Sequence, residues 1–231
     1  MSNNPKLICF TYAGGNTGFF GEIEKDLTGI DLIKPEYAGH ASRHNESFYT
    51  DFDELADDLF NLIKDNLDGK YALFGYSMGS ITLAEVLRRI IREGANQPSY
   101  VFMAAHEPHT KSELLGYTSD ELDEWVKNRT IKFGGVPERL LNNPVYWRTY
   151  LPLYRADYTI IGKYEFEKLD LETDIPATIF YSEKDTPFSD MKQWKRYFVG
   201  QVDFVEFDGT HFFIREHHKE MADVIRGRLI I

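Results

Sequence analysis

Three residues of this chain, in this order, could together carry out nucleophilic catalysis: Ser77, Asp185 and His211. A serine hydroxyl is a poor nucleophile at neutral pH and needs an adjacent base, which a third group must orient. A histidine can take the serine proton, and a carboxylate can hold the imidazole in the correct tautomer. This set would attack an acyl carbonyl and pass through an ester of the serine, provided that the fold brings the three side chains together.

The serine lies at the centre of Gly75-Tyr76-Ser77-Met78-Gly79. The preceding run Tyr71-Ala72-Leu73-Phe74 is short, apolar and aromatic, which is typical of a buried strand. In the following segment apolar residues recur at helical spacing, as in an amphipathic helix. A G-x-S-x-G pentapeptide arises by chance in roughly one chain in ten of this length. The flanking strand and helix therefore carry the interpretation, which is a nucleophile elbow.

The other two residues each follow a predicted strand. Asp185 comes after the strand predicted at 177–181, and His211 comes after the strand predicted at 202–207. Parallel strands end at one edge of a sheet, so loops after these strands can meet the serine there. The chain order serine, aspartate, histidine is that of the α/β-hydrolases.

Each residue also has a simpler interpretation when it is taken alone. Asp185 could be a turn residue, with Glu183 or Asp190 as the catalytic carboxylate instead. His211 could cap a helix or lie on the surface. The three residues in the correct order favour a triad over three separate coincidences.

Hydrolysis also needs donors for the negative charge that develops on the carbonyl oxygen. The sequence predicts two backbone N–H donors, Met78 after the nucleophile and Ala13 after the first predicted strand. Two glycines, Gly14-Gly15, follow Ala13 and would let N–H groups face a cavity. The alternative is an ordinary strand-to-helix turn. Each donor of this kind contributes about 3 kcal/mol to transition-state stabilisation.

The pattern of elements predicts an α/β fold. Strands and helices alternate up to about residue 106, which implies a mostly parallel central sheet flanked by helices, within a single domain at 1–231. Residues 107–165 have no strand-like run and predict three short helices, at 119–127, 137–141 and 144–158. We interpret 107–165 as a helical lid insertion over the site. Its aromatic residues that could face the substrate include Trp147, Tyr150 and Tyr154.

Composition limits the function classes. The chain has 231 residues, 42% of them hydrophobic, and a formal net charge of −11, which argues against a protein that tracks nucleic-acid phosphates. No apolar run reaches the roughly 18 residues of a membrane span, and 1–6 lacks a secretory stretch, so a cytoplasmic protein is expected. The single cysteine, Cys9, is expected in the core rather than as a nucleophile. The histidines show no metal-ligand spacing, so no metal site is expected.

Several longer segments resemble the type II thioesterases that accompany nonribosomal peptide and polyketide synthases, members of the α/β-hydrolase superfamily. Two of the segments lie in the body of the protein: Phe10-Thr11-Tyr12-Ala13-Gly14-Gly15 is similar to the family's F-P-Y-A-G-G, and Gly75-Tyr76-Ser77-Met78-Gly79 to its G-H-S-M-G. Two lie in the predicted lid: Gly134-Gly135-Val136-Pro137 is similar to G-G-x-P, and Leu151-Pro152-Leu153-Tyr154-Arg155-Ala156-Asp157 to L-P-x-L-R-A-D. Near the end of the chain, Gly209-Thr210-His211-Phe212-Phe213 is similar to G-G-H-F-F. The departures from the family pattern are Thr11 for proline, Tyr76 for histidine, Thr210 for glycine, and Ala38-Gly39-His40 for P-G-R.

The resemblance implies hydrolysis of acyl groups from the phosphopantetheine arm of acyl or peptidyl carrier domains, as in antibiotic biosynthesis. It implies no cofactor of the enzyme itself, because the phosphopantetheine belongs to the substrate. No nucleic acid or membrane partner is expected, and the protein is expected to be a monomer. Carrier domains are often acidic, so docking would need a local basic patch, to which Arg43, Arg148 and Lys163 could contribute.

Two other functions remain open at this stage. The same triad would serve a general carboxylesterase or lipase acting on small oxygen esters. A carrier-binding protein with a vestigial site belongs to a different class, and the complete set of Ser77, Asp185 and His211 argues against it.

Overall fold

Six short apolar runs form a parallel sheet in the computed structural model, which describes residues 4–108 and 117–230. All five strand pairings are parallel, and the order across the sheet is β2-β1-β3-β4-β5-β6. The strands are β1 (Lys6–Phe10), β2 (Asp31–Ile33), β3 (Tyr71–Tyr76), β4 (Tyr100–Ala104), β5 (Ala177–Tyr181) and β6 (Val202–Glu206). The parallel α/β arrangement expected from the alternation of elements is confirmed.

Helices cover both faces of the sheet, so alternate strand residues enter two separate cores. In β1, Ile8 and Phe10 pack into the core on one face, while Leu7 and Cys9 pack into the core on the other. The helices are α1 (Gly21–Asp26), α2 (Phe52–Ile63), α3 (Met78–Arg92), α4 (Ser119–Lys132), α5 (Pro144–Lys163), α6 (Phe188–Met191) and α7 (Ile214–Leu229). Helices α2 and α3 pack together, as do α1 and α7.

The order of the strands determines where a ligand can bind. From β1 the chain passes to β2 on one side, and it returns to place β3 on the other side of β1. The loops that leave β1 and β3 therefore diverge to opposite faces, which opens a crevice at the carboxyl ends of these neighbouring strands. Ala13 follows β1, and Ser77 follows β3 directly.

The described residues between β4 and β5 form two α-helices and two 3-10 turns joined by loops, in the region where the sequence predicts helices. The helices are longer than the sequence pattern indicated: α4 extends to Lys132, and α5 continues to Lys163. Helix α5 runs on because Ile160 and Gly162 beyond the predicted end are buried, so packing extends the helix. A 3-10 turn at Glu138–Leu140 stands near the predicted middle helix. The first residues of the expected lid, 109–116, lie outside the described residues.

Among the described helices, none combines the length and the hydropathy that a membrane crossing requires.

Candidate active site

The turn that carries Ser77 has the strained geometry of a nucleophile elbow. Its backbone has φ 56° and ψ −120°, a region that non-glycine residues rarely occupy. A Cβ added at Gly75 would lie 2.2 Å from the Gly79 carbonyl oxygen, and one at Gly79 would lie 2.0 Å from that of Phe10. Both flanking positions therefore need glycine. The Ser77 amide donates to the Ala104 carbonyl oxygen at 2.8 Å, which fixes the turn against β4.

The structure brings Ser77, His211 and Asp185 into one hydrogen-bonded line. His211 Nε2 is 2.9 Å from Ser77 Oγ, and His211 Nδ1 is 3.0 Å from both carboxylate oxygens of Asp185. A carboxylate only accepts hydrogen bonds, so Nδ1–H donates to it and the bare Nε2 faces the serine hydroxyl. All three side chains are buried. The arrangement can deprotonate the serine and stabilise the imidazolium that results.

The two competing carboxylates have other positions. Glu183 Oε1 accepts the Phe188 amide at 3.0 Å, at the beginning of α6. Asp190 lies within α6, where the hydroxyl of Ser189 donates to it at 3.4 Å. Of these three carboxylates, that of Asp185 is the one within hydrogen-bond distance of His211.

Two further hydroxyls, which the sequence did not single out for this role, hold the triad loops in place. Ser182 Oγ donates to the Gly209 carbonyl oxygen at 2.6 Å and so ties the loop of Asp185 to the loop of His211. Tyr76 Oη donates to the carbonyl oxygen of His211 at 2.8 Å. Both contacts join residues far apart in the chain, so no local pattern could reveal them.

A narrow pocket lies over the triad. The ring of Phe133, which directly follows α4, stacks on the His211 imidazole with centroids 4.1 Å apart. The pocket is lined by Tyr12, Ala13, Ser77, Thr130, Phe133, Gly135, Tyr154, Tyr158, His211 and Phe212. Its wall is therefore built from the first loop, from the helices α4 and α5, and from the triad itself.

The three candidate lid residues lie in different places on α5. Tyr154 is part of the pocket wall. Trp147 is buried, and its indole nitrogen donates to the Leu141 carbonyl oxygen at 2.7 Å. Tyr150 is 44% exposed. Neither Trp147 nor Tyr150 belongs to the described wall of the pocket, so a substrate role for them stays a prediction.

The two predicted oxyanion donors are both close to Ser77. Ala13 lines the pocket beside Ser77, and Met78 is the first residue of α3, whose N-terminus carries partial positive charge. The next amide along the first loop, that of Gly14, is already engaged: it donates to Asp157 Oδ2 of α5 at 2.6 Å. The oxyanion role of Ala13 and Met78 stays a prediction.

The tyrosines of the pocket wall are neutral at physiological pH. Burial raises the pKa of Tyr12, of Tyr154 and, to about 12, of Tyr158. Phenolate charge is thus absent from the wall, and no anion there opposes the negative charge that forms on a bound carbonyl oxygen.

The sequence interpretation missed Phe133, Thr130 and Tyr158 as wall residues. All three lie in the aromatic insert, but nothing in their spacing separates residues that face the pocket from residues that pack the helices. No group of three His, Cys, Asp or Glu side chains arranged to hold a metal ion occurs within 4–108 and 117–230.

Comparison with known proteins agrees with this chemistry. The thioesterase domain family matches residues 5–229. The medium-chain S-acyl fatty acid synthase thioesterase of Rattus norvegicus is 29% identical over 93% of this chain and 83% of its own length. The linear gramicidin dehydrogenase LgrE of Brevibacillus parabrevis is 26% identical, over 96% and 87%. The probable anguibactin biosynthesis thioesterase AngT of Vibrio anguillarum is 25% identical, over 96% and 90%.

Solved structures share the fold over almost the whole chain. The type II thioesterase BorB from the borrelidin biosynthetic cluster superposes with a TM-score of 0.82 at 25% identity, covering 98% of this chain and 93% of that one. The RedJ thioesterase of Streptomyces coelicolor gives a TM-score of 0.86 at 23% identity, covering 97% and 85%. The α/β-hydrolase fold and the thioesterase family expected from the motifs are both confirmed. The chain belongs to the thioesterase domain family, and its serine, histidine and aspartate triad makes it a serine thioesterase.

Proposed function

We propose that this enzyme is an editing type II thioesterase, which hydrolyses acyl groups from the phosphopantetheine arm of carrier domains in a nonribosomal peptide or polyketide synthase. The observation that carries the proposal is the hydrogen-bonded triad at the base of a narrow pocket. The family match extends across both helices that cover this pocket and not only across the elbow. Relatives named for anguibactin and borrelidin biosynthesis support the carrier-bound substrate.

The chemistry follows from the positions of the three side chains. Ser77 Oγ attacks the thioester carbonyl carbon while His211 Nε2 takes its proton. The Asp185 carboxylate stabilises the imidazolium, which then gives the proton to the departing pantetheine thiol as the C–S bond breaks. A water molecule, deprotonated by His211, hydrolyses the acyl-serine and releases the acid. No step uses a cofactor of the enzyme, because the phosphopantetheine is part of the substrate.

The amides of Met78 and Ala13 would bind the oxyanion in both steps, since they flank the serine from α3 and from the loop after β1. The insert at 107–165 would act as the lid. Ser77 is only 8% exposed, so a pantetheine arm needs an opening between the lid and the loop after β1 in order to reach it.

The carrier would supply the acidic partner of the complex. Arg43 is a poor docking contact, because Asp58 and Glu46 already bind its guanidinium. Arg148 and Lys163, at the two ends of α5, are exposed and remain candidates for a basic patch. A monomer in the cytoplasm, where it can reach a carrier domain, completes the proposal.

Two other activities must be considered. An oxygen esterase would use the same triad, so the difference must be measured on matched substrates. The name of one relative describes a dehydrogenase. The G-x-G-x-x-G fingerprint of a dinucleotide site occurs nowhere in this sequence, whereas the serine triad is complete.

The test compares kcat/KM on an acetyl-loaded carrier protein with kcat/KM on p-nitrophenyl acetate, for the wild type and Ser77→Ala. We expect a strong preference for the carrier thioester and a loss of turnover of about 10⁴-fold or more in the variant. Labelling by a fluorophosphonate should likewise require Ser77. A preference for the free ester would identify the protein as an esterase instead. Turnover of neither substrate would favour a binding protein.

A further inference from the structure

Helix α5 holds the first loop of the protein through two side chains, one turn apart. Tyr154 lies so close over Gly14 that a Cβ on this glycine would be 1.9 Å from Tyr154 Cε1. Asp157 accepts the amide of the same glycine at 2.6 Å. Gly14 follows Ala13, the proposed oxyanion donor, so the position of this donor depends on how α5 holds the loop.

A third segment joins this contact through His40, from the loop after β2. His40 Nε2 is 3.0 Å from Asp157 Oδ2, and His40 Nδ1 is 2.9 Å from the Ala38 carbonyl oxygen. The His40 and Asp157 side chains are 1% and 4% exposed, so water cannot replace either contact. One carboxylate oxygen thus receives both the Gly14 amide and the histidine ring.

The partners of the ring determine its protonation. A backbone carbonyl oxygen only accepts, so the hydrogen bond to Ala38 requires a proton on Nδ1. The carboxylate of Asp157 also only accepts, so the second bond requires a proton on Nε2. A neutral ring carries only one N–H, so it would direct a lone pair at one of these two buried acceptors, 2.9 Å or 3.0 Å away. Both bonds exist together when the ring is an imidazolium.

We propose that His40 is a positioning residue for hydrolysis: its imidazolium, paired with Asp157, holds the Ala13-Gly14 loop and α5 together in the closed, active arrangement. The proposal rests on the oxyanion role assigned to Ala13 but not on the identity of the carrier. Arginine stands at the position of His40 in the family pattern noted from the sequence, and it keeps its charge at every working pH. The histidine makes the same connection depend on pH.

The electrostatic surroundings favour the charged ring. Burial opposes the imidazolium, but the charge of Asp157 and its hydrogen bond, the Ala38 carbonyl and the charge of Glu36 outweigh it, so the pKa of His40 is raised. Among the residues that the structure describes, two phenols also face the pair. Tyr37 lies against His40, and Tyr158 lies beside Asp157; burial raises the pKa of both, to about 12 for Tyr158. Neither phenol ionises in the range in which His40 does.

The direction of the pH effect follows because the pKa of His40 is higher in the folded protein than in the unfolded chain. The pair contributes its full stabilisation below the ordinary pKa of histidine, and this stabilisation is lost as pH rises through the raised value. Above that pH the ring loses its positive charge and one of its two hydrogen bonds, and we expect the link between α5 and the Ala13-Gly14 loop to loosen. Activity should therefore fall on the alkaline side.

The test is the pH profile of kcat between about pH 6 and pH 9.5 on p-nitrophenyl acetate, for the wild type, His40→Arg and His40→Gln. We expect an alkaline fall of roughly 10- to 100-fold in the wild type, which is the range that small misplacements of catalytic groups produce. His40→Arg should remove this fall. His40→Gln should remove the pH dependence while lowering kcat across the range. His44→Arg, on an exposed ring four residues away, is the matched control and should keep the wild-type profile.

Parallel alkaline falls in the wild type and in His40→Arg would overturn the proposal. A measurement on the wild type covers the case in which the arginine does not fit: ¹⁵N NMR of histidine-labelled protein, with His40 assigned from His40→Gln. Two protonated ring nitrogens at neutral pH are expected, and a neutral His40 ring at pH 6 would overturn the proposal. If the oxyanion assignment alone failed, the NMR signature would remain while the alkaline fall would be absent.

Discussion

At the scale of single residues, the departures from the family motifs have specific structural consequences. Tyr76, which replaces a histidine, donates to the carbonyl oxygen of His211 at 2.8 Å and accepts the amide of Ile214 at 3.4 Å. Ile214 is the first residue of α7, and the residue before it provides no side-chain cap. The phenol therefore satisfies a helix-terminal amide and braces the loop of the catalytic base.

Replacing Tyr76 with phenylalanine should show both roles. It removes the hydroxyl and leaves two buried backbone groups without this partner, so we expect the free energy of unfolding to fall by about 1–2 kcal/mol. We expect kcat to fall roughly 2- to 10-fold at nearly unchanged KM, because the imidazole loses one constraint on its position. Urea denaturation and steady-state kinetics measure the two effects.

Tyr71→Phe is the matched control for this prediction. Its hydroxyl donates to the Asn96 carbonyl oxygen at 2.5 Å, at the opposite end of the same strand. It should lower stability while leaving kcat unchanged. An equal loss of kcat in both variants would mean that the effect of Tyr76 on the reaction is only a general loss of stability.

At the scale of elements, α4 and α5 form the side of the site opposite the sheet. Phe133 follows the last residue of α4, and its ring lies flat on the catalytic imidazole. Tyr154 and Tyr158 on α5 complete this part of the wall. Because the pocket is narrow, we expect the side chains of these helices to limit the size of the acyl group that can reach Ser77.

Phe133→Ala should therefore widen the range of acyl chains. The variant opens space beside the triad, so we expect the ratio of kcat/KM for octanoyl to acetyl p-nitrophenyl esters to rise by about tenfold or more, in line with 1–3 kcal/mol for apolar discrimination. Taking a ratio cancels any general loss of activity caused by removing the ring from His211. Ile131→Ala, at an exposed position on the same insert and outside the pocket wall, is the control and should leave the ratio unchanged. An unchanged ratio in Phe133→Ala would show that another group limits the chain length.

At the scale of the whole molecule, the sheet is stable because it is buried on both faces. Side chains of β1 alternate between two cores, and Cys9 enters the one beneath α1 and α7 with 1% of its surface exposed. Burial raises the pKa of the Cys9 thiol well above its ordinary value. The thiolate, which is the reactive form, is thus nearly absent in the folded protein.

Cys9 should accordingly report global unfolding. We expect the native protein to react with Ellman's reagent at least about 10³-fold more slowly than the denatured protein, because the strand must leave the core before the thiol is accessible. The rate should rise with urea in parallel with loss of the helical circular dichroism signal. Fast reaction of the native protein would show that β1 opens locally.

The sequence alone determined the elements and the catalytic order. Strand-like runs, glycines at a sharp turn and the succession of Ser77, Asp185 and His211 are local features, and local sterics and periodicity are visible in one dimension. Strands that lie parallel end at one edge, so the positions of the two loops followed from the predicted strands. The resemblance to thioesterases rested on longer segments of the same kind.

Only the tertiary structure decided which side chains meet. The contacts of Asp157 with Gly14 and His40, and of Tyr76 with His211, join residues that lie more than a hundred positions apart. Such contacts depend on how helices pack on the sheet, and helix periodicity identifies an apolar face without identifying its partner. For the same reason, the aromatic content of the insert predicted a covering element but not which ring lies on the catalytic histidine.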